Sequence, residues 1–412
     1  MRKTYIIGGG VALLLIIGVT IFLARDSSTP PTTENPEGLF PSGEATTTQA
    51  TPPATQNTQD RTNSIKPVPV SSRLQPITRV GVAGFVVLET KEASSTLLRY
   101  AESDTGHLYE YTNNNTTRIS NTTIPGIKEA LWANSGEYVA LRYLDGKANV
   151  IKTFVAHVGK ISTTTLDGKF IEDDIKTVVV APRERTAAEK FLTLTQKDGQ
   201  SVGADFDTRN FDGARKARLF SSAVPEWHVN WPTSGILYFT TSPSGTANGY
   251  TYLYDLGRSG VTGDSGLVKI LGPLSGLTSV ASPDANTVLF SHTQGDKLLT
   301  KLYNTRTETS ISLGIATIAD KCVFSSKKML YCAVPFFLPS ATYPDDWYKG
   351  TVTFSDILWE IDAETGAGKV LVYPEREAGA SIDAINLSTN PSGTMLYFTD
   401  KTTGILWRFP IE

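Results

Sequence analysis

From Ser72 onward, apolar and polar residues alternate in short runs, and most runs end at a cluster of Pro, Gly, Asn, Asp or Ser. Alternation of that kind predicts half-buried β-strands joined by tight turns. A helical domain would instead show an apolar stripe recurring every three to four positions over ten or more residues, and only residues 183–190 have a brief helical look. The N-terminal part reads differently. After Met1, Arg2 and Lys3 an uncharged run extends from Thr4 to Ala24 and stops at Arg25-Asp26.

About 20 apolar residues rising 1.5 Å each cover roughly 30 Å, the thickness of a bilayer core. The run therefore predicts one transmembrane signal anchor, with residues 5–24 in the membrane. A cleaved signal peptide is the alternative, but its usual small-x-small cleavage site is not met by Phe22-Leu23-Ala24, where a bulky ring holds the first position. Positive charge before the run places the N-terminus in the cytoplasm and the remainder outside the membrane. Residues 26–70 are rich in Thr and Pro with almost nothing to bury, so they are expected to form a disordered stalk. The expected organisation is thus a cytoplasmic tip and anchor over residues 1–25, the stalk over 26–70 and a β domain over 71–412.

Within the β domain one pattern recurs: a strand, a tight polar turn, then a strand of Tyr, Leu and Phe. Copies occupy residues 131–141, 229–239, 280–290 and 387–398, with a degenerate copy at 323–331. Third strands follow, such as Leu253-Tyr254-Asp255, Leu302-Tyr303-Asn304 and Leu406-Trp407-Arg408-Phe409. Taking the residue after each turn as a marker, the step from 136 to 235 is 99, and from 235 to 285 it is 50. Residues 79–412 number 334, and one seventh of that is about 48, the size of a four-stranded propeller blade. The turns Ser282-Pro283-Asp284-Ala285, Pro391-Ser392-Gly393 and Asn134-Ser135-Gly136 resemble those of TolB-like and WD-type β-propeller repeats. The resemblance implies an all-β fold, a seven-bladed β-propeller of four-stranded blades. It carries no particular activity, because propellers host many. A pair of β-sandwiches is the alternative architecture. The last copy ends with only three strands, so residues 73–80 are expected to supply the fourth and close the ring.

Composition narrows the function. Lys and Arg number 38 against 41 Asp and Glu, a net charge of −3, which argues against a nucleic-acid partner. No cofactor or metal site is expected. Asp205-Phe206-Asp207-Thr208-Arg209-Asn210-Phe211-Asp212-Gly213 has alternate carboxylates that suit calcium. Arg209 and Asn210, however, fall where a calcium loop needs a ligand and a Gly; the simpler reading makes Asp212-Gly213 a turn with the other acids in solvent. Glu172-Asp173-Asp174 reads as a solvated loop. Gly263-Asp264-Ser265-Gly266 has the look of a serine-protease nucleophile, but none of the four His (107, 157, 228, 292) has the matching context, so it reads as a turn. Cys322 and Cys332 flank a turn at 325–328. With a loop of three or five residues they become cross-strand neighbours able to form a disulfide; otherwise each is simply a small buried side chain.

The last long interval holds an aromatic insertion near residues 336–355. Apolar residues on so long a loop must be covered by the blade or by a partner. Phe337, Tyr343, Trp347 and Tyr348 are the candidate partner-binding residues. The expected function is a membrane-anchored, outward-facing binding or scaffold module of the cell envelope, taking a protein or glycan partner on its loops. An extracytoplasmic propeller enzyme of glycosidase or lyase type, with carboxylates converging in the central cleft, is the alternative.

Overall fold

The computed structural model describes residues 72–89, 96–159, 165–182, 188–197, 203–258, 266–325 and 328–411. The expected anchor and stalk lie outside the described residues, as do residues 183–187 and 263–265 of the segments noted above. Among the described residues no helix is long and apolar enough to cross a membrane.

Seven four-stranded antiparallel sheets follow one another along the chain. Blade 1 spans residues 82–118, blade 2 127–170, blade 3 177–222, blade 4 227–275, blade 5 278–312, blade 6 322–372 and blade 7 384–410. The first strand of each blade packs against the first strands of both neighbours, and that of blade 1 also meets that of blade 7. The first strands therefore ring a central axis and the sheets radiate from it. This is a closed seven-bladed β-propeller.

Burial follows from position in the blade. The second strand of blade 5, Thr287–Gln294, is buried at five consecutive positions because neighbouring blades cover both its faces. Fourth strands lie at the outer edge, and Asn115–Arg118, Asp167–Phe170 and Thr309–Ser312 are exposed and mostly polar. Seven apolar clusters fill the seven blade interfaces. One joins Leu98 of blade 1 to Leu406 of blade 7, and another joins Phe191 of blade 3 to Val155 of blade 2.

The ring closes as the sequence predicts. Gln75–Pro76 pairs antiparallel with the last strand, Leu406–Pro410, with Gln75 opposite Arg408 and Pro76 opposite Trp407. Ile77 N–H donates to the Leu406 carbonyl (2.7 Å), and Thr78 Oγ1 accepts from Leu406 N–H (3.1 Å). Leu74 is fully buried beneath this strand. In the recurring turn, Gly136, Ala285, Lys328 and Gly393 all sit at φ between 58° and 74°. The left-handed position thus recurs in four of the described turns, filled by Gly in two and by Ala and Lys in the others, whereas the blade 4 turn at Gly235 does without it.

Candidate binding face at the mouth of the ring

The connections divide between two faces. The upper face carries the links between blades and those between second and third strands; the lower face carries the recurring turns. The aromatic insertion joins the second and third strands of blade 6, Met329–Pro335 and Asp356–Asp362, so it rises from the upper face. Its neck is closed by Phe336 N–H donating to the Ser355 carbonyl (2.8 Å).

From that neck the insertion reaches over other blades. Asp345 Oδ2 accepts Gly245 N–H of blade 4 (2.6 Å), and its Oδ1 accepts the Ser244 hydroxyl (3.2 Å). The Tyr343 carbonyl lies so close to Gly245 and Gly276 that a Cβ on either would sit 2.5 or 2.7 Å from it. Tyr343, Trp347 and Phe354 pack with Leu298 of blade 5. Toward blade 7, the Trp347 indole N–H donates to Asp383 Oδ2 (3.0 Å), and Lys401 Nζ donates to the Trp347 carbonyl. A single helical turn, Asp345–Tyr348, holds these contacts together.

This arrangement sorts the four predicted partner-binding residues. Tyr343 and Trp347 are each only 4% exposed, so they are interior side chains and not a free surface. The cause is polar as well as apolar: a buried indole N–H needs an acceptor, and Asp383 provides it. Phe337 and its neighbour Phe336 point outward, 72% and 65% exposed. Tyr348 is at the boundary. Its ring is partly exposed while its hydroxyl donates to Asp320, and burial of that hydroxyl beside the carboxylate pushes the phenol well above its usual value. The His228 ring of blade 4 lies against Tyr348, centroids 5.5 Å apart. His228 also lines a cavity of about 390 Å³ between blades 3 and 4, together with Lys176, Glu226 and Trp227. A larger cavity, about 630 Å³, opens on the lower face between blades 5 and 6. Ser282, Asp284 and Ser325 of the recurring turns line it, so repeat geometry accounts for its shape.

Beneath the insertion lies a buried charged cluster that sequence reading did not single out. Lys321 is fully buried and its Nζ contacts Asp356 Oδ2 (2.8 Å), Asp383 Oδ1 and the Ala384 carbonyl (3.0 Å). Trp347 and Phe354 cover the ammonium, with Nζ 5.1 and 5.2 Å from the ring centroids. Burial raises the Asp356 carboxyl to about 6 despite the pull of Lys321. Two carboxylates do converge, but at the upper ends of blades 6 and 7 beneath the insertion, where both side chains are 1% exposed or less. The three residues come from three separate elements, so no local motif announces them. The available signal is phase: Lys321 and Asp383 immediately precede first strands and Asp356 opens a third strand, and both positions lie at the upper rim.

The candidate calcium segment forms its expected turn but not its expected solvent-facing acids. Asp212-Gly213 forms the turn, Gly213 N–H donating to the Asn210 carbonyl (3.0 Å). Asp205 and Asp207 do not face solvent; each is 2% exposed, and Arg218 reaches both (2.9 and 2.7 Å). Cationic side chains from the same sheet occupy the place that a metal would take. Glu172 is tied to Arg209 (2.6 Å) and Lys216 (2.7 Å) instead of being simply solvated. Among the described residues no group of three or more His, Cys, Asp and Glu is placed to hold a metal. Cys322 and Cys332 stand directly opposite in the first two strands of blade 6, Cα atoms 4.1 Å apart and sulfurs 2.08 Å apart, a disulfide.

The sequence matches no protein-family model and no curated protein. Solved structures do resemble the chain. An oligogalacturonate lyase in complex with manganese aligns over 82% of this chain and 93% of its own, with 9% identity and a TM-score of 0.54. The β-propeller domain of the Trilobed protease from Pyrococcus furiosus aligns over 81% and 96%, with 13% identity and a TM-score of 0.51. TolB from Acinetobacter baumannii aligns over 80% and 79%, with 12% identity and a TM-score of 0.42. At such low identity, the lyase and the protease domain show that this chain shares the propeller fold; activity does not follow from the likeness.

Proposed function

We propose that this protein is a membrane-anchored propeller of the cell envelope that binds another protein through the upper face of its ring. The apolar run at residues 4–24 and the Thr/Pro-rich segment after it support anchoring and outward display. The observation that carries the binding reading is the adjacent pair Phe336 and Phe337, both largely exposed on an insertion otherwise fixed to blades 4, 5 and 7. Exposed aromatics on a pre-ordered support lose little entropy on docking and make effective anchors.

A protein partner fits better than a glycan. A sugar platform pairs a ring with free carboxylates that bond hydroxyls, whereas Asp345 is already taken by Ser244 and Gly245. Asp346 is likewise taken by Thr342 N–H (2.8 Å). The test is affinity purification of the full chain from detergent-solubilised membranes, comparing wild type with a Phe336→Ser/Phe337→Ser variant. Loss of a co-purifying protein from a variant that melts normally is the expected result. An unchanged set of partners contradicts the reading, and retention by a glycan column lost in the same variant would replace the protein with a sugar.

A further inference from the structure

We propose that Lys321 and Asp383 become joined by an intramolecular amide bond, with Asp356 relaying the protons. The three side chains are sealed from water, Lys321 at 0%, Asp356 at 0% and Asp383 at 1% exposure. Lys321 is the ammonium in contact with both carboxylates, Lys401 reaching the site only against the Trp347 ring and carbonyl, and an uncompensated buried charge is costly. Uptake of one proton neutralises the cluster, and Asp356 is the group suited to hold it: its Oδ1 is buried without a hydrogen-bond partner. The upward shift of its carboxyl, caused by burial, agrees with that assignment.

The remaining geometry is that of an acyl-transfer site. Lys321 Nζ touches Asp383 Oδ1. The other oxygen, Oδ2, accepts the Trp347 indole N–H (3.0 Å) and the Phe354 backbone N–H (3.1 Å), two fixed donors where negative charge would develop. Asp356 Oδ2 lies 2.8 Å from Nζ, within reach for proton transfer. Trp347 and Phe354 close the site, and the two reacting groups are held together by blades 6 and 7, so attack requires no encounter in solution.

The step balances without any added reagent. A proton passes from the Lys321 ammonium to the Asp383 carboxylate, leaving a neutral amine beside a carboxylic acid. The Nζ lone pair forms a bond to Asp383 Cγ, and Oδ2 carries the charge of the tetrahedral stage. Asp356 takes one proton from the nitrogen and returns one to Oδ1, so it ends as the acid it began. The Cγ–Oδ1 bond breaks and Oδ1 leaves as water. Nothing is oxidised or reduced, and the product replaces two buried charges by an amide that locks blade 6 to blade 7.

Mass spectrometry of the full chain after reduction and denaturation tests this. The expected wild-type mass is one water lighter than the sequence requires, with proteolysis yielding a branched peptide that links Lys321 to Asp383. Lys321→Arg and Asp356→Asn should both restore the full mass, and circular dichroism would establish that each still folds. A folded wild type of full sequence mass overturns the bond. A missing water mapped elsewhere overturns its placement. A branched peptide persisting in Asp356→Asn overturns the relay.

Discussion

The indole N–H of Trp347, carried by the insertion of blade 6, donates to Asp383 Oδ2 at the start of blade 7 (3.0 Å). This bond makes the insertion part of the propeller core. Trp347→Ala removes a buried side chain and leaves Asp383 short of a donor. The expected cost is about 3–5 kcal/mol, the range for large aromatic truncations, seen as a lowered melting temperature of the isolated β domain. An unchanged melting curve contradicts a buried, load-sharing Trp347.

Ring closure rests on an equally short piece of chain. Leu74 is fully buried beside the strand Gln75–Pro76. Leu74→Ala should cost about 2–5 kcal/mol, and deletion of residues 73–80 should lower the melting temperature further by exposing the edge of blade 7. Thermal denaturation of both variants checks this; wild-type melting of the deletion would mean that closure lies elsewhere.

The disulfide between Cys322 and Cys332 closes a short loop, with a sequence separation of 10. Loop-closure entropy for a bridge of this span gives roughly 3 kcal/mol at most. A Cys322→Ser/Cys332→Ser variant should unfold at lower denaturant concentration than wild type. Added reductant should lower the wild type toward the variant and leave the variant unmoved; a variant as stable as wild type contradicts the bridge.

Acid should reveal the Glu172 network. Partial burial raises this carboxyl, but hydrogen bonds from Arg209 and Lys216 outweigh it and hold the group at about 2, below its ordinary 4.5. A lowered folded-state value means that the contribution is present above pH 4.5 and is lost as pH falls toward about 2. Because Glu172 is 47% exposed, screening keeps the contribution small. Glu172→Gln should therefore be slightly less stable than wild type at neutral pH, the gap closing through that window in pH-dependent denaturation. A gap constant with pH contradicts the assignment.

The blades were legible in sequence because several repeat the same local signals: a tight polar turn, an apolar second strand and a polar edge. Residues 131–141 and 387–398 show the turn and the apolar second strand, and a closing strand within residues 73–80 followed from counting strands, though its register, Gln75 opposite Arg408, did not. The site was less legible. Trp347 and Phe337 read alike as aromatics on a loop, yet the first meets Asp383 across a blade boundary and the second meets solvent. Asp205 and Asp207 read as solvent-facing because Arg218, which covers them, comes from the next strand. Lys321, Asp356 and Asp383 become neighbours only once the ring has brought blades 6 and 7 together.

The proposed binding face is tested most directly by a photo-crosslinking amino acid placed in the full chain, expressed in cells, at position 337 on the upper face and, separately, at Arg306, which lines the lower-face cavity. After irradiation, the account predicts a protein adduct from position 337 and none from position 306. An adduct confined to position 306, or none from position 337 in a properly folded chain, contradicts it.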